Sequence, residues 1–321
     1  MDVLVIGVSN IFRRRVLPAL LSLNCVDKIH LASSHFFSEV DIPVSRRGNY
    51  YSGYDVALSQ TSPCVAYISL PNHLHAEWTH KALLCGFHVI VDKPAFLNWS
   101  EAQPILELAK KKGLCLAEST VWPFHPQVRA VQDAFERLGS EPRSIQAIFS
   151  FPPLPKSNFR NDPEMGGGSF NDLGRYAVTP GRIFFKSDPR NILVNILSRS
   201  EETNVDMGFV ISANYSRGRS FQGFFSFCTE YKNCLTILGE RMAVTLEPAF
   251  SFTDTKISEI DIRSNSTLQR ITFEQADAFT SFFQEVINSI QDGTYMRWAY
   301  ILERDANVMQ LAVNSAEENF S

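Results

Sequence analysis

Over its first 120 residues the chain alternates short apolar runs with stretches of helical periodicity, and this alternation constrains the fold more than any other feature. Val3–Ile6, Ile29–Ser33, Val65–Ser69, Phe87–Val91 and Leu114–Ala117 read as strands, with Arg13–Leu21, Tyr54–Gln60, His75–Cys85 and Glu101–Lys112 as the helices between them. Strands and helices at this spacing build a doubly wound parallel sheet, because a parallel neighbour is reached only by a long crossover and a helix supplies it. At 321 residues the chain exceeds one typical domain of roughly 100 to 200 residues, so a second domain is expected.

That second domain announces itself after His125, Pro126 and Gln127, where longer alternating runs replace the strand-helix pattern. Ser144–Phe151, Ile192–Leu197, Phe209–Tyr215, Ser220–Cys228, Cys234–Leu238 and Ala243–Leu246 are rich in β-branched and aromatic residues with turn signals between them. They predict an α+β domain with a largely antiparallel open sheet. The expected division is therefore 1–120 for the parallel sheet and 121–321 for the rest.

Composition removes several classes of function. The net charge of −4 argues against a nucleic-acid footprint, which needs basic side chains concentrated on one face. Lys110–Lys112 reads as a solvated helix end before Gly113. Six cysteines without a CxxC pair mostly sit in apolar strings, which suggests a reducing compartment. No apolar run approaches the roughly 20 residues that span a bilayer, and the opening apolar run lacks a basic leader, so a cytoplasmic location and no membrane partner are expected. The spacings of His73, His75, His80, His88 and His125 put no three ligands on one helix face, so no metal is assigned.

The first strand runs into Gly7, Val8, Ser9, Asn10, Ile11 and Phe12, then a helix. Strand, tight turn and helix form the phosphate-binding unit of a Rossmann fold, where pyrophosphate rests on free N–H groups at a helix start. The glycine pattern departs from the fingerprint. Ser9 stands where the backbone makes its close approach, and Phe12 where helix and strand pack closely. At the end of the second strand, where an NAD fingerprint places an acid, the chain has Ser33, Ser34 and His35. With no carboxylate to repel a 2′-phosphate, NADP(H) is favoured over NAD(H). Arg13 and Arg14 read equally well as phosphate ligands or as a solvated first turn.

Two further places carry chemistry. Lys93, in Asp92–Lys93–Pro94, closes an apolar strand, and parallel sheets bind ligands just beyond their carboxyl ends; an ordinary solvated loop lysine is the alternative. The string GGGSFNDLGRY, Gly166–Tyr176, puts Asp172 and Tyr176 four residues apart on one helix face. They are candidates for substrate binding and proton donation, or else a helix-start carboxylate and a half-buried packing residue. Arg160 and Asn161 are weaker candidates for a phosphate or sugar hydroxyl. Trp122 can stack on a sugar ring or pack between domains.

GVSNIFRRRVLPAL at the start, YISLPNHLHAEWTHKALLCGFHVIVDKP from Tyr67 to Pro94, and AESTVWPFHPQV from Ala117 to Val128 together resemble the Gfo/Idh/MocA oxidoreductases, in that family's order and spacing. DAFTSFFQEVINSIQDG and ERDANVMQLAVNSA look like its two closing helices, so the resemblance covers nearly the whole chain. It implies cofactor contacts at Gly7, Ser9, Asn10, Ile11, Phe12, Arg13, Ser33, Ser34, Leu70, Pro71, Asn72, His75, Asp92 and Lys93. It also implies a catalytic set of Lys93, Asp172 and Tyr176, since the family carries an aspartate and a histidine or tyrosine at the last two positions. Lys93, Trp122, Arg160, Asp172 and Tyr176 are the expected substrate contacts. The family usually has Glu where this chain has Asp92, one methylene shorter.

In the chemistry so implied, hydride passes from NADPH or NADH to a carbonyl carbon. Tyr176, whose unperturbed phenol titrates near about 10, protonates the oxygen, and Lys93 lowers that value and stabilises the developing charge. The run RRRVLPAL, the tyrosine at 176 and the non-acidic second-strand end look most like the NADPH-dependent 3-ketoreductases of nucleotide-linked deoxysugars. An NADP-linked dehydrogenase of free sugars or dihydrodiols is the alternative enzyme, and a non-catalytic cofactor-binding regulator is the alternative of another class. As in the family, the open face of the second sheet is expected to meet a second subunit in a homodimer or larger homo-oligomer.

Overall fold

A computed structural model describes residues 1–34, 40–252, 257–274 and 276–318; His35 lies outside the described residues. The chain forms two compact units, Met1–Val121 with Phe279–Ala306, and Trp122–Ala278 with Asn307 onward.

The first unit is built from β1 (Val3–Ile6), α1 (Leu17–Ser22), β2 (Ile29–Ser33), β3 (Arg47–Ser52), α2 (Tyr54–Gln60), β4 (Val65–Ile68), α3 (His75–Leu84), β5 (His88–Val91), α4 (Trp99–Lys112) and β6 (Leu116–Glu118). Its six strands are all parallel and lie in the order β3-β2-β1-β4-β5-β6. The expected doubly wound sheet is therefore present. Every residue of β1 and β4 is buried, as strands covered on both faces must be. Between β1 and β4 the chain order reverses, and the crevice beyond the carboxyl ends of these strands is where such sheets take ligands. The turn after β1, the Ser69–Asn72 segment after β4 and the Asp92–Ala95 loop after β5 all follow those ends.

One helix departs from regular α geometry. Phe12–Val16 forms a single π-helical turn, with Leu17 N–H donating to Phe12 O, immediately before Pro18 in the first turn of α1. Proline has no N–H to continue the ladder, which accounts for a wider turn just upstream.

A single cut near residue 120 leaves residues 279–306 with the second domain, whereas the structure packs them into the first unit. Phe283 sets its ring edge-on to Tyr67 at 5.5 Å, and Lys110 pairs with Glu303 at 2.6 Å.

The second unit adds α5 (Pro126–Arg137), β7 (Pro142–Ser150), α6 (Ser169–Pro180), β8 (Asn191–Arg199), β9 (Asp206–Tyr215), β10 (Arg219–Ser226), β11 (Lys232–Gly239), β12 (Met242–Glu247), β13 (Ser258–Ser264) and β14 (Thr267–Phe273). After these come α7 (Ala278–Gln291) and α8 (Met296–Glu318), whose residues are shared between the two units. The eight strands run β14-β13-β12-β11-β7-β10-β9-β8, antiparallel at every junction except β7 with β10. One face buries Ile145, Phe209, Phe225, Leu235 and Val244 in a core that includes α6. The other face leaves Ile148, Leu193 and Leu197 exposed.

Among the described residues, no helix is long and apolar enough to cross a membrane.

Candidate active site

The turn after β1 is shaped by a glycine that nothing else can replace. Gly7 has φ +93°, and a Cβ there would sit 2.4 Å from the carbonyl oxygen of Ser69 and 2.6 Å from Leu70 Cδ2. Its N–H donates to Ala32 O at 3.0 Å, so the turn is fastened to β2. Ser9, in the second fingerprint position, ties the turn together: its Oγ lies 2.7 Å from Ser69 Oγ and accepts the Phe12 N–H at 3.1 Å. The next two residues, Asn10 and Ile11, are exposed, as is Arg14, while Arg13 is half-buried. The Phe12 side chain is fully buried, because the π-helical turn points it into the core, so any contact with a cofactor is left to its backbone.

At the edge of β2, Ser33 accepts the Gly53 N–H through its carbonyl at 2.8 Å, and Ser34 Oγ donates to Tyr54 Oη at 3.2 Å. No carboxylate stands among these residues.

Beyond β4 and β5 lies a dense polar cluster. Asp92 accepts hydrogen bonds from Tyr67 Oη at 2.9 Å, Ser119 Oγ at 2.8 Å and Ser69 Oγ at 3.4 Å. Burial and the adjacent Asp92 charge hold the Tyr67 phenol well above its ordinary pKa, which keeps it a donor. The shorter acid that departs from the family's Glu is thus matched to three nearby hydroxyls. Lys93 follows, half-buried at the strand end.

His75, expected at the cofactor, has a different place. It is 1% exposed, and its Nδ1 and Nε2 each lie 2.8 Å from a backbone carbonyl, those of Pro94 and Leu70. The ring is thus enclosed between two carbonyls of the chain itself, and whichever nitrogen carries the proton donates to one of them. Asn72 is buried, while Leu70 and Pro71 are half-buried at the end of β4.

In the second unit the glycine string leads into α6. Gly168 has φ +104°, and a Cβ there would meet Asp206 Oδ1 at 2.4 Å. Asp206, the first residue of β9, takes over the cap that a glycine cannot provide, accepting Ser169 Oγ at 2.5 Å and Phe170 N–H at 2.6 Å. On the helix so anchored, Asp172 is 6% exposed and Arg160 Nε lies 2.9 Å from its Oδ2. Arg160 is thus brought to a carboxylate within its own unit. Tyr176, one turn on, is half-buried, with its ring centroid 5.2 Å from those of both Phe149 and Phe250.

Trp122 is not available to a sugar ring. It is fully buried, its Nε1 donates to Thr179 Oγ1 at 3.1 Å, and it meets Phe250 edge-on at 5.3 Å. A large indole with its one donor satisfied is core, and the partners named are within the second unit rather than between domains. Among the described residues no group of three or more His, Cys, Asp or Glu side chains is placed to hold a metal ion.

Sequence reasoning passed over Tyr67, Glu118, Ser119 and Asp206. Glu118 and Ser119 had a visible signal, since they are polar residues closing an apolar strand of the same parallel sheet. Asp206 had none, because only the fold brings it to α6.

Comparison with known proteins agrees with this architecture. A model described as the oxidoreductase family with an NAD-binding Rossmann fold matches residues 1–120, and a model for the GFO/IDH/MocA C-terminal domain matches residues 135–245. A dTDP-3,4-didehydro-2,6-dideoxy-alpha-D-glucose 3-reductase from Actinomadura kijaniata is 26% identical over 98% of this chain and 95% of its own. D-xylose 1-dehydrogenase (NADP(+)) 2 from Haloferax volcanii is 25% identical over 90% of this chain and 89% of its own. The solved structure of a 3-ketoreductase from Actinomadura kijaniata, in complex with NADP and TDP-benzene, is similar in fold with a TM-score of 0.87, 24% identity and 98% of each chain covered.

Proposed function

The chain belongs to the Gfo/Idh/MocA family of oxidoreductases, and from that premise we propose that it is an NADPH-dependent ketoreductase of a nucleotide-linked deoxysugar. The observation that carries the reading is a lysine, Lys93, at the carboxyl end of β5 in a doubly wound sheet, the edge at which such sheets take their ligands. The near full-length similarity to a dTDP-sugar 3-reductase supports the substrate class.

The residues at hand fit a dinucleotide. Gly7 and the turn through Asn10 and Ile11 would take the pyrophosphate, and Leu70, Pro71, Asn72 and Asp92 would border the remainder. Serines rather than an acid at the end of β2, with Arg13 near the turn, favour NADPH over NADH. When bound, the cofactor supplies hydride to the carbonyl carbon. Tyr176 donates the proton to the carbonyl oxygen, and its contacts with Phe149 and Phe250 keep the ring in one orientation. Lys93 stabilises the charge developing on that oxygen. Asp172, held by Arg160, orients a substrate hydroxyl. Arg160 therefore acts on the substrate through Asp172.

NADPH oxidation followed by absorbance, with a panel of nucleotide-linked keto sugars, tests the proposal. Reduction of at least one, with NADPH preferred over NADH in a fluorescence titration, is expected. Turnover confined to free sugars with NADP would replace the substrate class, and binding without turnover on every ketone would make the protein a regulator.

We also propose a homodimer formed through the open face of the second sheet. Ile148 at 39% exposure and Leu193 at 49% project from central and edge strands of that face, more apolar surface than a solvated sheet needs. Sedimentation velocity should give a dimer for the wild type and a monomer for Leu193→Glu.

A further inference from the structure

The loop that bears Lys93 is fixed on both sides of the lysine, at Asp92, Pro94 and Ala95, by side chains from three different elements. Before the lysine, the Asp92 carboxylate is held by Tyr67, Ser69 and Ser119, and the Asp92 N–H donates to Ile68 O at 3.0 Å. After it, the Pro94 carbonyl lies 2.8 Å from His75 Nδ1, and the Ala95 N–H donates to Glu118 Oε2 at 2.8 Å. Glu118 is in turn oriented by Thr120 Oγ1, which donates to its Oε1 at 2.5 Å. Surface loops ordinarily satisfy their backbone with water or with local turns. Here the Ala95 amide is taken by a carboxylate and the Pro94 carbonyl by an imidazole, while three hydroxyls hold the Asp92 side chain.

We propose that Glu118 and Tyr67 are positioning residues for Lys93: Tyr67 holds the Asp92 carboxylate before it and Glu118 the Ala95 amide after it, so that its ammonium occupies one place before any ligand arrives. The inference rests on the assignment of Lys93 to the reaction made above. Its physical basis is that displacing a reacting group by about 1 Å costs on the order of 100-fold, and that supporting hydrogen bonds are what prevent such displacement. Tyr67 suits this role because its buried phenol remains a donor at every working pH. Glu118 suits it because one carboxylate oxygen takes the Ala95 amide while the other is held by Thr120.

Three variants of the full-length protein test the proposal: Tyr67→Phe, which removes only a hydroxyl, Glu118→Ala, and Glu118→Gln, whose amide oxygen can still accept the Ala95 N–H. Tyr67→Phe and Glu118→Ala are expected to lower kcat about tenfold. NADPH affinity should stay within about twofold, and Glu118→Gln should recover most of the loss. A second readout needs no substrate. The rate at which an amine-reactive reagent modifies Lys93, located by mass spectrometry across a pH series, should rise several-fold in Tyr67→Phe and Glu118→Ala.

Wild-type labelling of Lys93 and wild-type kcat in variants whose melting temperature has dropped would overturn the proposal and leave these residues a purely structural role. Altered labelling of Lys93 in a protein that reduces no ketone would uphold the clamp and reject the function proposed above.

Discussion

The two parts of the proposed site are held in place by different physics. In the first unit Lys93 sits in a loop fastened by hydrogen bonds to Asp92, Pro94 and Ala95. In the second, Tyr176 is wedged by aromatic rings on a helix tied down at its first turn by Asp206. Hydrogen bonds are directional and fail when one atom is removed, whereas ring packing tolerates the loss of a hydroxyl provided the ring remains. Deleting a functional hydroxyl from α6 therefore leaves the ring packing itself in place. The same deletion around Lys93 disturbs the lysine itself.

Tyr176→Phe gives the largest effect and tests that contrast most directly. The ring stays against Phe149 and Phe250, the proton donor is gone, and turnover should fall roughly 100 to 10,000-fold with NADPH affinity and melting temperature near wild type. Steady-state kinetics beside differential scanning fluorimetry checks both halves. A large drop in melting temperature would mean the phenol, not the ring, holds the helix, and the contrast between the two units would dissolve.

How far this was legible in the sequence follows the same division. The parallel sheet was readable because strands buried on both faces are continuous apolar runs, as Val3–Ile6 and Val65–Ile68 are. Arg47–Ser52 escaped because it is the edge strand, mostly exposed, and needs no apolar run to be one. Thr267–Phe273, the other sheet's outer strand, escaped for the same reason, although its partner Ser258–Ser264 carries a plain alternation of buried Ile260 and Ile262 with charged neighbours. The candidate residues were readable as identities but not always as roles. His75 and Trp122 lie in strings that face a ligand on average, and only three-dimensional placement reveals that their polar atoms already have partners inside the protein. Asp206 is 34 residues from Asp172 in sequence, and nothing local marks it as the cap of α6.

Each unit also carries a histidine that burial makes acid-sensitive. His125 caps α5, its ring is stacked on Phe252 with centroids 4.0 Å apart, and burial pushes its pKa down to about 4 in spite of Asp277 nearby. The folded state therefore binds this proton less readily than the unfolded chain, where histidine titrates near about 6.5. The associated stability is fully present above pH 6.5 and is lost progressively as pH falls toward 4, on the order of 2 to 3 kcal/mol in all. His88, in the first unit, is lowered by burial in the same direction. His125→Asn keeps a capping side chain that cannot charge. Denaturant unfolding at several pH values should show its stability curve flatter than wild type between pH 6.5 and 4. An unchanged slope would assign the acid sensitivity to His88 and to the first unit.

The smallest expected effect separates the two anchors of α6. Asp206→Asn preserves an oxygen that can accept from both Ser169 and Phe170 but removes the negative charge from the helix start, which should cost about 0.3 to 1 kcal/mol. If ring packing fixes Tyr176, turnover stays within about threefold of wild type, because so small a loss at the first turn leaves the rings nearly two turns further on in contact. A fall in turnover approaching that of Tyr176→Phe would instead make the Asp206 charge the feature that positions Tyr176. The second unit would then be a polar clamp like the first, with Asp206 standing to Tyr176 as Glu118 stands to Lys93.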